Sequence, residues 1–519
     1  MNEQLRNHKS CIVFVAVLLI ALSFACSLLA ETESSSESSP DTLKYTLPEI
    51  TVYGERLKPT ESLIELNQIK TLSSEKRSEA LTLLPGVIDT PEGGAGREIL
   101  IRGIDQSRVN IFFNGIPIRS NTYNTVPFDG FLLSNTESII IEKGAPSLVY
   151  GANSSGNVIY LNSNPLSQKA FNAGLSSYFG NNGKQGHQLK VSGFKNRLHY
   201  KFSAGYYSRD SYRLSNDFAL SPSQPTKDRN NSDQENIEIM GMISPIFSDN
   251  HVYSLFGSFN SSEYGRPTST SRPRYRRMDF WQNSFVGLSG ASNFADDFRM
   301  ENVIYYTALR DTMKRYNDAA CTQVSSYSYW DDRTFGGRSI FSKMFGADNK
   351  AYLSLDLKKD IHKQDWHSKS ETKSTTNITS LGIEYNLMKN MEITSGVSYN
   401  LLKPSHYGDD SEEEKKDFSS FNYQFLASYF PSNPNYKFYT GLSYTTIFPP
   451  TVSLFGNELM SDEWFTVLPN PDLKEETSRN LDVGTKLSFP DIGLLFDVSL
   501  YYNKLTDLIA DVSLSDTTA

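Results

Sequence analysis

The feature that most constrains this chain is a period of two that sets in at Lys169 and recurs to the end. In one segment Met391, Ile393, Val397 and Tyr399 fall on one face, and Glu392, Thr394, Gly396, Ser398 and Asn400 fall on the other. Tyr436, Phe438, Thr440, Leu442 and Tyr444 alternate with Lys437, Tyr439, Gly441 and Ser443 in the same way. So do Leu494, Phe496, Val498, Leu500 and Tyr502 with Asp497, Ser499 and Asn503. Such alternation makes strands with one apolar and one polar face. A soluble sandwich alternates too. Here the polar faces carry Glu392, Asp356 and Lys486, which a dry core could not hold unpaired. A wet interior could, so the pattern predicts an antiparallel transmembrane β-barrel over residues 166–519.

Two further observations agree. No stretch after residue 30 offers the about 20 apolar residues of a spanning helix. The chain has 29 Tyr and 31 Phe, and barrels place such rings at both membrane interfaces. Short turns are expected at Gly180 to Gly183, Ala347 to Asn349 and Pro431 to Asn435. Long polar loops are expected at 210–233, 262–277, 311–325, 362–371, 403–417 and 448–472. Tight periplasmic turns opposite large external loops are the barrel asymmetry. A net charge of −9 argues against a nucleic-acid partner, which calls for a basic face.

The N-terminus reads as export and tether. Arg6 and Lys9 precede an apolar run from Cys11 to Ala30, the layout of a secretory signal over residues 1–30. Residues 31–46 are rich in Ser and Glu and suit a disordered tether. Residues 47–54 then hold Glu49, Ile50, Thr51 and Val52, a β-branched segment. It suits either a strand added to another protein's sheet edge or the first edge strand of the next domain. Cys11 and Cys26 leave with the signal, so Cys321 stands alone and no internal disulfide can form.

Between tether and barrel lies a domain over residues 55–165. Its centre, Leu81 to Asn164, reads as four short apolar strands set apart by glycine-rich turns. Ser73 or Ser74 can cap a helix from Glu75 to Leu84, which Pro85-Gly86 ends. Ile99 and Ile101 alternate as a strand should, and Asn114-Gly115 is a strong tight-turn signal. Gly93 to Gly96 lacks the Lys-Ser/Thr ending of a phosphate loop and reads as a turn.

This domain resembles the plug of TonB-dependent outer-membrane receptors. Leu81 to Val87, with Pro85 and Gly86, is similar to the family's L-x-x-x-P-G-V stretch. Ile99 to Gly103 is similar to I-x-I-R-G, with Arg102 and Gly103 at its turn. Asn114-Gly115-Ile116-Pro117 stands for D-G-V-P. The run through Gly144, Pro146, Tyr150 and Gly151 resembles the V-x-x-G-P-x-S-x-L-Y-G segment, its proline one place late. Gly156 to Leu161 stands for G-G-x-I-N-I. Further on, Asn470 to Ser478 resembles N-P-x-L-K-P-E-x-S with Glu475 for Pro, and Tyr444 to Thr451 resembles F-R-A-P-T without its Arg.

The resemblance implies a mostly β fold, an α/β plug inside a barrel that closes with about 22 strands. About fifteen strands can be placed here, and the last nine residues lack a terminal strand. The expectation is a C-terminal truncation of roughly seven strands. It also implies that Glu49, Ile50, Thr51 and Val52 are a TonB box, with the TonB energy-coupling protein as partner. The implied location is the bacterial outer membrane, in contact with lipid and lipopolysaccharide. The implied role is active uptake of a scarce small molecule or chelate: a ferric siderophore, haem, cobalamin or similar. A surface binding or adhesion protein that transports nothing is the alternative.

No catalytic set, metal site or cofactor motif stands out, so no enzyme is expected. His362 and His367 are five apart and read as loop histidines. Asp409 to Glu414 lacks the spacing of a calcium loop and reads as a solvated loop. Arg272, Arg274, Arg276 and Arg277, with Tyr264, Tyr275 and Trp281, form a basic-aromatic cluster near an external loop. The residues expected to meet substrate are Arg274, Arg276 and Trp281, with Arg119, Tyr123 and Asn124 at a plug apex.

Overall fold

The computed structural model describes residues 58–510 apart from 66–80, 91–97, 121–135, 137, 164–169, 249, 270–272, 296, 347–348, 366–368, 389, 408–411, 415–416, 432–434, 451–452, 455–469 and 471. The signal, the tether and the 47–54 segment therefore lie outside the described residues. So do Gly93 to Gly96, Tyr123, Asn124 and the expected helix as far as Ala80.

The N-terminal unit contains β1 (Glu61–Glu65), β2 (Val87–Thr90), β3 (Glu98–Ile101), β4 (Ile104–Asp105), β5 (Asn110–Phe113), β6 (Ile116–Pro117), β7 (Ser138–Lys143) and β8 (Asn157–Asn162). Between Leu81 and Asn164, where the sequence reads as four strands, the described residues hold seven, β2 to β8, because the glycine-rich turns carry short strands of their own. With β1 they form two sheets, one in the order β1-β7-β8-β5-β6 and one in the order β2-β3-β4. β5 runs parallel to β8, and the other pairs are antiparallel. Ile139, Ile141, Val158, Ile159 and Leu161 are buried. Central strands covered on both faces need such continuous apolar runs.

The second unit is one antiparallel sheet. Its strands are β9 (Asn172–Phe179), β10 (Gln185–Lys195), β11 (Leu198–Arg209), β12 (Gln234–Ser248), β13 (His251–Arg266), β14 (Tyr275–Ala295), β15 (Phe298–Tyr316) and β16 (Val324–Phe345). They continue with β17 (Asn349–Asp365), β18 (Lys369–Met388), β19 (Met391–Tyr407), β20 (Glu412–Glu414), β21 (Phe418–Tyr429), β22 (Tyr436–Ile447), β23 (Glu476–Phe489) and β24 (Leu494–Thr506). Each pairs with its sequence neighbour, except that short β20 hangs on the tip of β19, which goes on to β21. The edge strands are β9 and β24, which do not pair with each other.

The sheet wraps the first unit. Lys201 of β11 donates to the Ser163 carbonyl, Phe285 of β14 packs on Phe113 at 5.5 Å, and Ser354 of β17 donates to the Val149 carbonyl. Ser443 of β22 and Ser478 of β23 donate to the Gly144 and Ser155 carbonyls. The alternation resolves into two environments. Ile304, Leu355, Leu357, Val397, Phe438, Leu442 and Val498 are exposed on the outer face, whereas Thr394, Ser398, Asn400, Tyr439 and Ser443 are buried on the inner.

Several loop expectations are corrected. β13 runs to Arg266, β15 to Tyr316, β17 to Asp365 and β19 to Tyr407. Strands continue through polar residues here because the neighbouring strand, not an apolar face, satisfies the backbone. Gly180 to Gly183 does not lie at the short-turn end. Asp210 N–H donates to the Asn182 carbonyl at 2.9 Å and Asn182 Nδ2 to Asp228 at 3.1 Å, which places it beside the long 210–233 connection. His362 is no loop residue. It is buried on β17, its Nδ1 2.5 Å from Asp332 Oδ1. The acidic run is not wholly loop either, since Glu412–Glu414 form β20.

Candidate functional site

Two inner regions carry chemistry: the seam between plug and wall, and the mouth above it. The seam starts from two hairpin tips. Ile101 pairs with Ile104 and Phe113 with Ile116, so each turn has two central residues. All four have positive φ: Arg102 53°, Gly103 79°, Asn114 45° and Gly115 83°. This twist matches the flanking strands and favours Asn-Gly. Arginine breaks that preference, and its side chain shows why: its Nη1 bonds Asp482 of β23, both side chains being almost fully buried. The guanidinium also lies over the Tyr501 ring at 4.3 Å and reaches Ser499 Oγ at 3.4 Å.

A second arginine repeats the device. Arg108 grips Glu476 with Nε and Nη2, both at 2.7 Å, and also bonds Asp105. Its pKa is raised, chiefly by the Glu476 bond. Glu476 and Ser478 are the Glu and Ser of the N-P-x-L-K-x-E-x-S stretch, so that motif is half of the seam. Gly144 and Gly156 supply the close approach. A Cβ on Gly144 would sit 2.6 Å from Asp482 Oδ2, and one on Gly156 would run into Asn480 Nδ2. Their φ values of +86° and +94° also disfavour any side chain. Tyr150 packs tilted against Phe112 and Tyr160, with ring centroids at 5.1 and 4.7 Å, beneath Arg338, whose Nη2 holds Asp356 at 2.5 Å.

Beneath this lies a strained carboxylate pair. Glu61 of β1 stands opposite Glu142 of β7. Both are buried, and like charges so placed repel. Lys58 Nζ bonds Glu142 at 3.2 Å and Lys58 N–H bonds Glu61 at 2.9 Å. Glu61 Oε1 and Glu142 Oε2 have no hydrogen-bond partner. Burial, then Glu142, push the Glu61 pKa up to about 8. Burial, then Arg102, pull Lys143 down to about 8, and its Nζ donates to the Pro85 carbonyl.

At the long-connection end the inner wall becomes basic. Register sets Arg266, Arg276 and Arg315 in one row across β13, β14 and β15. All three share the face of Tyr264, Met278 and Met313, which pack toward the plug core. Arg266 Nη1 lies 3.7 Å from Met313 Sδ. The expected basic-aromatic cluster is thereby divided. Arg276 faces inward. Arg277, the next residue, faces the other way and binds Asp233 at 2.7 Å, because successive strand residues point to opposite faces. Arg274 precedes β14 and is exposed. Trp281 is buried in the plug–wall core instead of facing an open lumen. Arg119 reaches Asp360 at 3.9 Å, and Asp360 also holds Lys358 at 2.6 Å. Arg266 and Arg315 were not singled out from sequence. The signal was available: an arginine on the inward parity of three consecutive strands.

Buried arginine–carboxylate pairs string the first unit inside the β-wall as a plug, which defines the class: a β-wall occluded by its own N-terminal domain. Residues 57–158 match the model of the TonB-dependent receptor plug domain, and residues 110–519 match that of the TonB-dependent receptor-like β-barrel. The chain belongs to the TonB-dependent receptor family, whose barrels sit in the outer membrane. It is 20% identical to the vitamin B12 transporter BtuB of Vibrio vulnificus (strain YJ016), over 95% of this chain and 75% of that protein. Its fold is similar to that of the copper transporter OprC, with a TM-score of 0.70 at 14% identity, over 87% of this chain and 72% of the other. The FrpB iron transporter of Neisseria meningitidis gives a TM-score of 0.71 at 15% identity, over 87% and 73%.

Proposed function

We propose that this chain captures an anionic chelate at the outer surface and passes it inward past the plug, driven by TonB acting on Glu49 to Val52. The observation that carries the substrate class is the row Arg266, Arg276 and Arg315 on the inner wall. Three guanidinium groups abreast concentrate positive charge at the mouth, and guanidinium geometry matches carboxylate and phosphate. A ferric siderophore or haem, with acidic groups, suits this row better than a substrate without them. The relatives named above are transporters of vitamin B12, copper and iron. The plug, held by Arg102 and Arg108, blocks free diffusion, so passage needs work done on it.

The test separates binding from coupling. Deleting residues 47–54 should leave binding of a radiolabelled ferric chelate unchanged and abolish its uptake. Replacing Arg266, Arg276 and Arg315 with Ala should weaken binding of anionic chelates by about tenfold or more, at ~1.5–3 kcal/mol for each charged hydrogen bond lost. Unchanged uptake by the deletion would refute the coupling role. Equal binding by the arginine variant would refute the substrate class. A surface binder that transports nothing would show the second effect without any uptake to lose.

A further inference from the structure

The inner wall below the arginine row holds two carboxylates of unlike standing. On β15, Asp311 alternates with Leu309 and Met313, on the face turned to the plug. Asp332 of β16 pairs with Leu309, and His362 of β17 pairs with Asp332, so both share that face. All three are buried, Asp311 to 7% exposure. Asp332 is held, its Oδ1 lying 2.5 Å from His362 Nδ1. Among the described residues the Asp311 carboxylate has neither a hydrogen bond nor an ion pair. The charges that reach it are those of Asp332, which repels it, and of His362 and Arg266, which attract it. Arg266 nevertheless lays its Nη1 on Met313 Sδ at 3.7 Å, and among the described residues it has no carboxylate partner. An arginine and an aspartate within each other's field stand unbonded.

A carboxylate taken out of water without a partner is strongly disfavoured. A cation arriving from the mouth relieves that cost, and an anion does not. The surroundings of Asp311 decide the kind of cation. Among the described residues no three His, Cys, Asp or Glu side chains converge as a metal ion requires, and Asp332 is already committed to His362. Trp330 stands directly opposite Asp311 on β16, its ring edge-on to that of His362 with centroids 6.0 Å apart. An indole beside a carboxylate suits an alkylammonium, which donates N–H to the one and sets its charge against the other. Position sets the spacing. At about 3.3 Å per residue, Asp311 is ~13 Å inward of Arg315 and ~7 Å inward of Met313, where the Arg266 side chain ends.

We propose that Asp311, with Trp330 beside it, is a subsite for a protonated amine of the substrate. The chelate is then amphoteric, with its acid groups on the arginine row and an alkylammonium ~7–13 Å further in. This rests on the row taking the anionic groups, and it adds a choice among anionic chelates that the row alone cannot make.

The test uses the full chain in nanodiscs and a ferric citrate dihydroxamate that bears a primary amine, beside the same chelate with that amine acetylated. Iron and acid groups are the same in both, so the difference in affinity reads the ammonium. By isothermal titration the wild type should bind the amine form about tenfold or more tighter, the effect of one charged hydrogen bond. Asp311→Asn should bind the two forms alike, and Asp311→Glu should keep part of the preference. Replacing Arg266, Arg276 and Arg315 with Ala should weaken both forms together. Should Asp311→Asn lose its heat-modifiable mobility, millimolar pentylammonium carries the comparison in the wild type, where it should weaken the amine form alone. Equal affinity of the wild type for the two forms would overturn the subsite and leave the arginine row's role intact. Undiminished binding of both forms by the triple alanine variant would instead overturn the row. A preference undiminished in folded Asp311→Asn, or by pentylammonium, would overturn the subsite, and an equal loss of both forms in Asp311→Asn would make Asp311 only a support for Arg266.

Discussion

Leu481 and Asp482 are neighbours in β23, yet they live in different solvents. Leu481 is 42% exposed on the outer face, and Asp482 is 1% exposed against the plug. Leu442 and Ser443 repeat the contrast in β22, at 47% and 4%. The outer residue is interchangeable with any apolar side chain, because lipid has no fixed shape to match. The inner residue is held by specific partners: Arg102 for Asp482, and the Gly144 carbonyl and Asn480 Nδ2 for Ser443. One strand thus carries a tolerant face and an exacting one, and the exacting face holds the plug in register.

The comparison breaks most sharply at Asp482. Asp482→Ala strands a buried Arg102 without its carboxylate, a change that costs about 3–5 kcal/mol. The plug should then be cleaved by protease from the periplasmic side, and cells should admit large antibiotics that the wild type excludes. Adding Arg102→Ala should recover part of the loss, since no buried charge is left over. Wild-type protease resistance in Asp482→Ala would show that the pair does not hold the plug.

The outer face gives the next largest effect, and only for charge. Leu355→Arg places a cation on the lipid face and should cost about 2–4 kcal/mol near the bilayer midplane. Leu355→Met should cost under about 1.5 kcal/mol. Urea-unfolding midpoints in bilayers measure both. Equal costs would mean that Leu355 faces protein.

The outer face was legible in the sequence because a period of two announces itself where the long strands cross the membrane. Glu476 and Ser478 were legible as motif residues, but their role was not. Nothing local says that Arg108 meets Glu476 across 368 positions, or that an arginine at a turn tip is aimed at a distant carboxylate. His362 was misread for a related reason. Past Leu357 the sequence reads Lys358-Lys359-Asp360-Ile361-His362, where both faces are polar and the alternation fades, although hydrogen bonds to β16 carry the strand on to Asp365. Polarity marks the end of the membrane, not the end of the strand.

Gly156 sharpens the exacting face further. Gly156→Ala must hold a side chain at a φ of +94° and drive its Cβ into Asn480. The expected cost is about 1–3 kcal/mol, read from the same protease assay. Adding Asn480→Ala should remove the steric part and leave the backbone part. No recovery in the double variant would assign the whole cost to the backbone.

A pH effect separates the seam from the strand below it. Glu61 has a folded pKa of about 8 against an ordinary 4.5, so the folded plug binds its proton more tightly than the unfolded one. The stability this brings is full below about pH 4.5 and is lost as pH rises toward 8. The slope inside that window is at most ~1.4 kcal/mol per pH unit, because a single proton is involved. Glu61→Gln has no proton to lose, so its stability should stay flat from pH 5 to 8 while that of the wild type falls. Hydrogen exchange of the β1 amides reads this directly, since β1 is an edge strand paired to β7 alone in its sheet. Parallel pH profiles for the two proteins would mean that the proton sits elsewhere. A flat variant would identify the Glu61–Glu142 pair as the weak point of the plug, at the strand nearest to the segment on which TonB would pull.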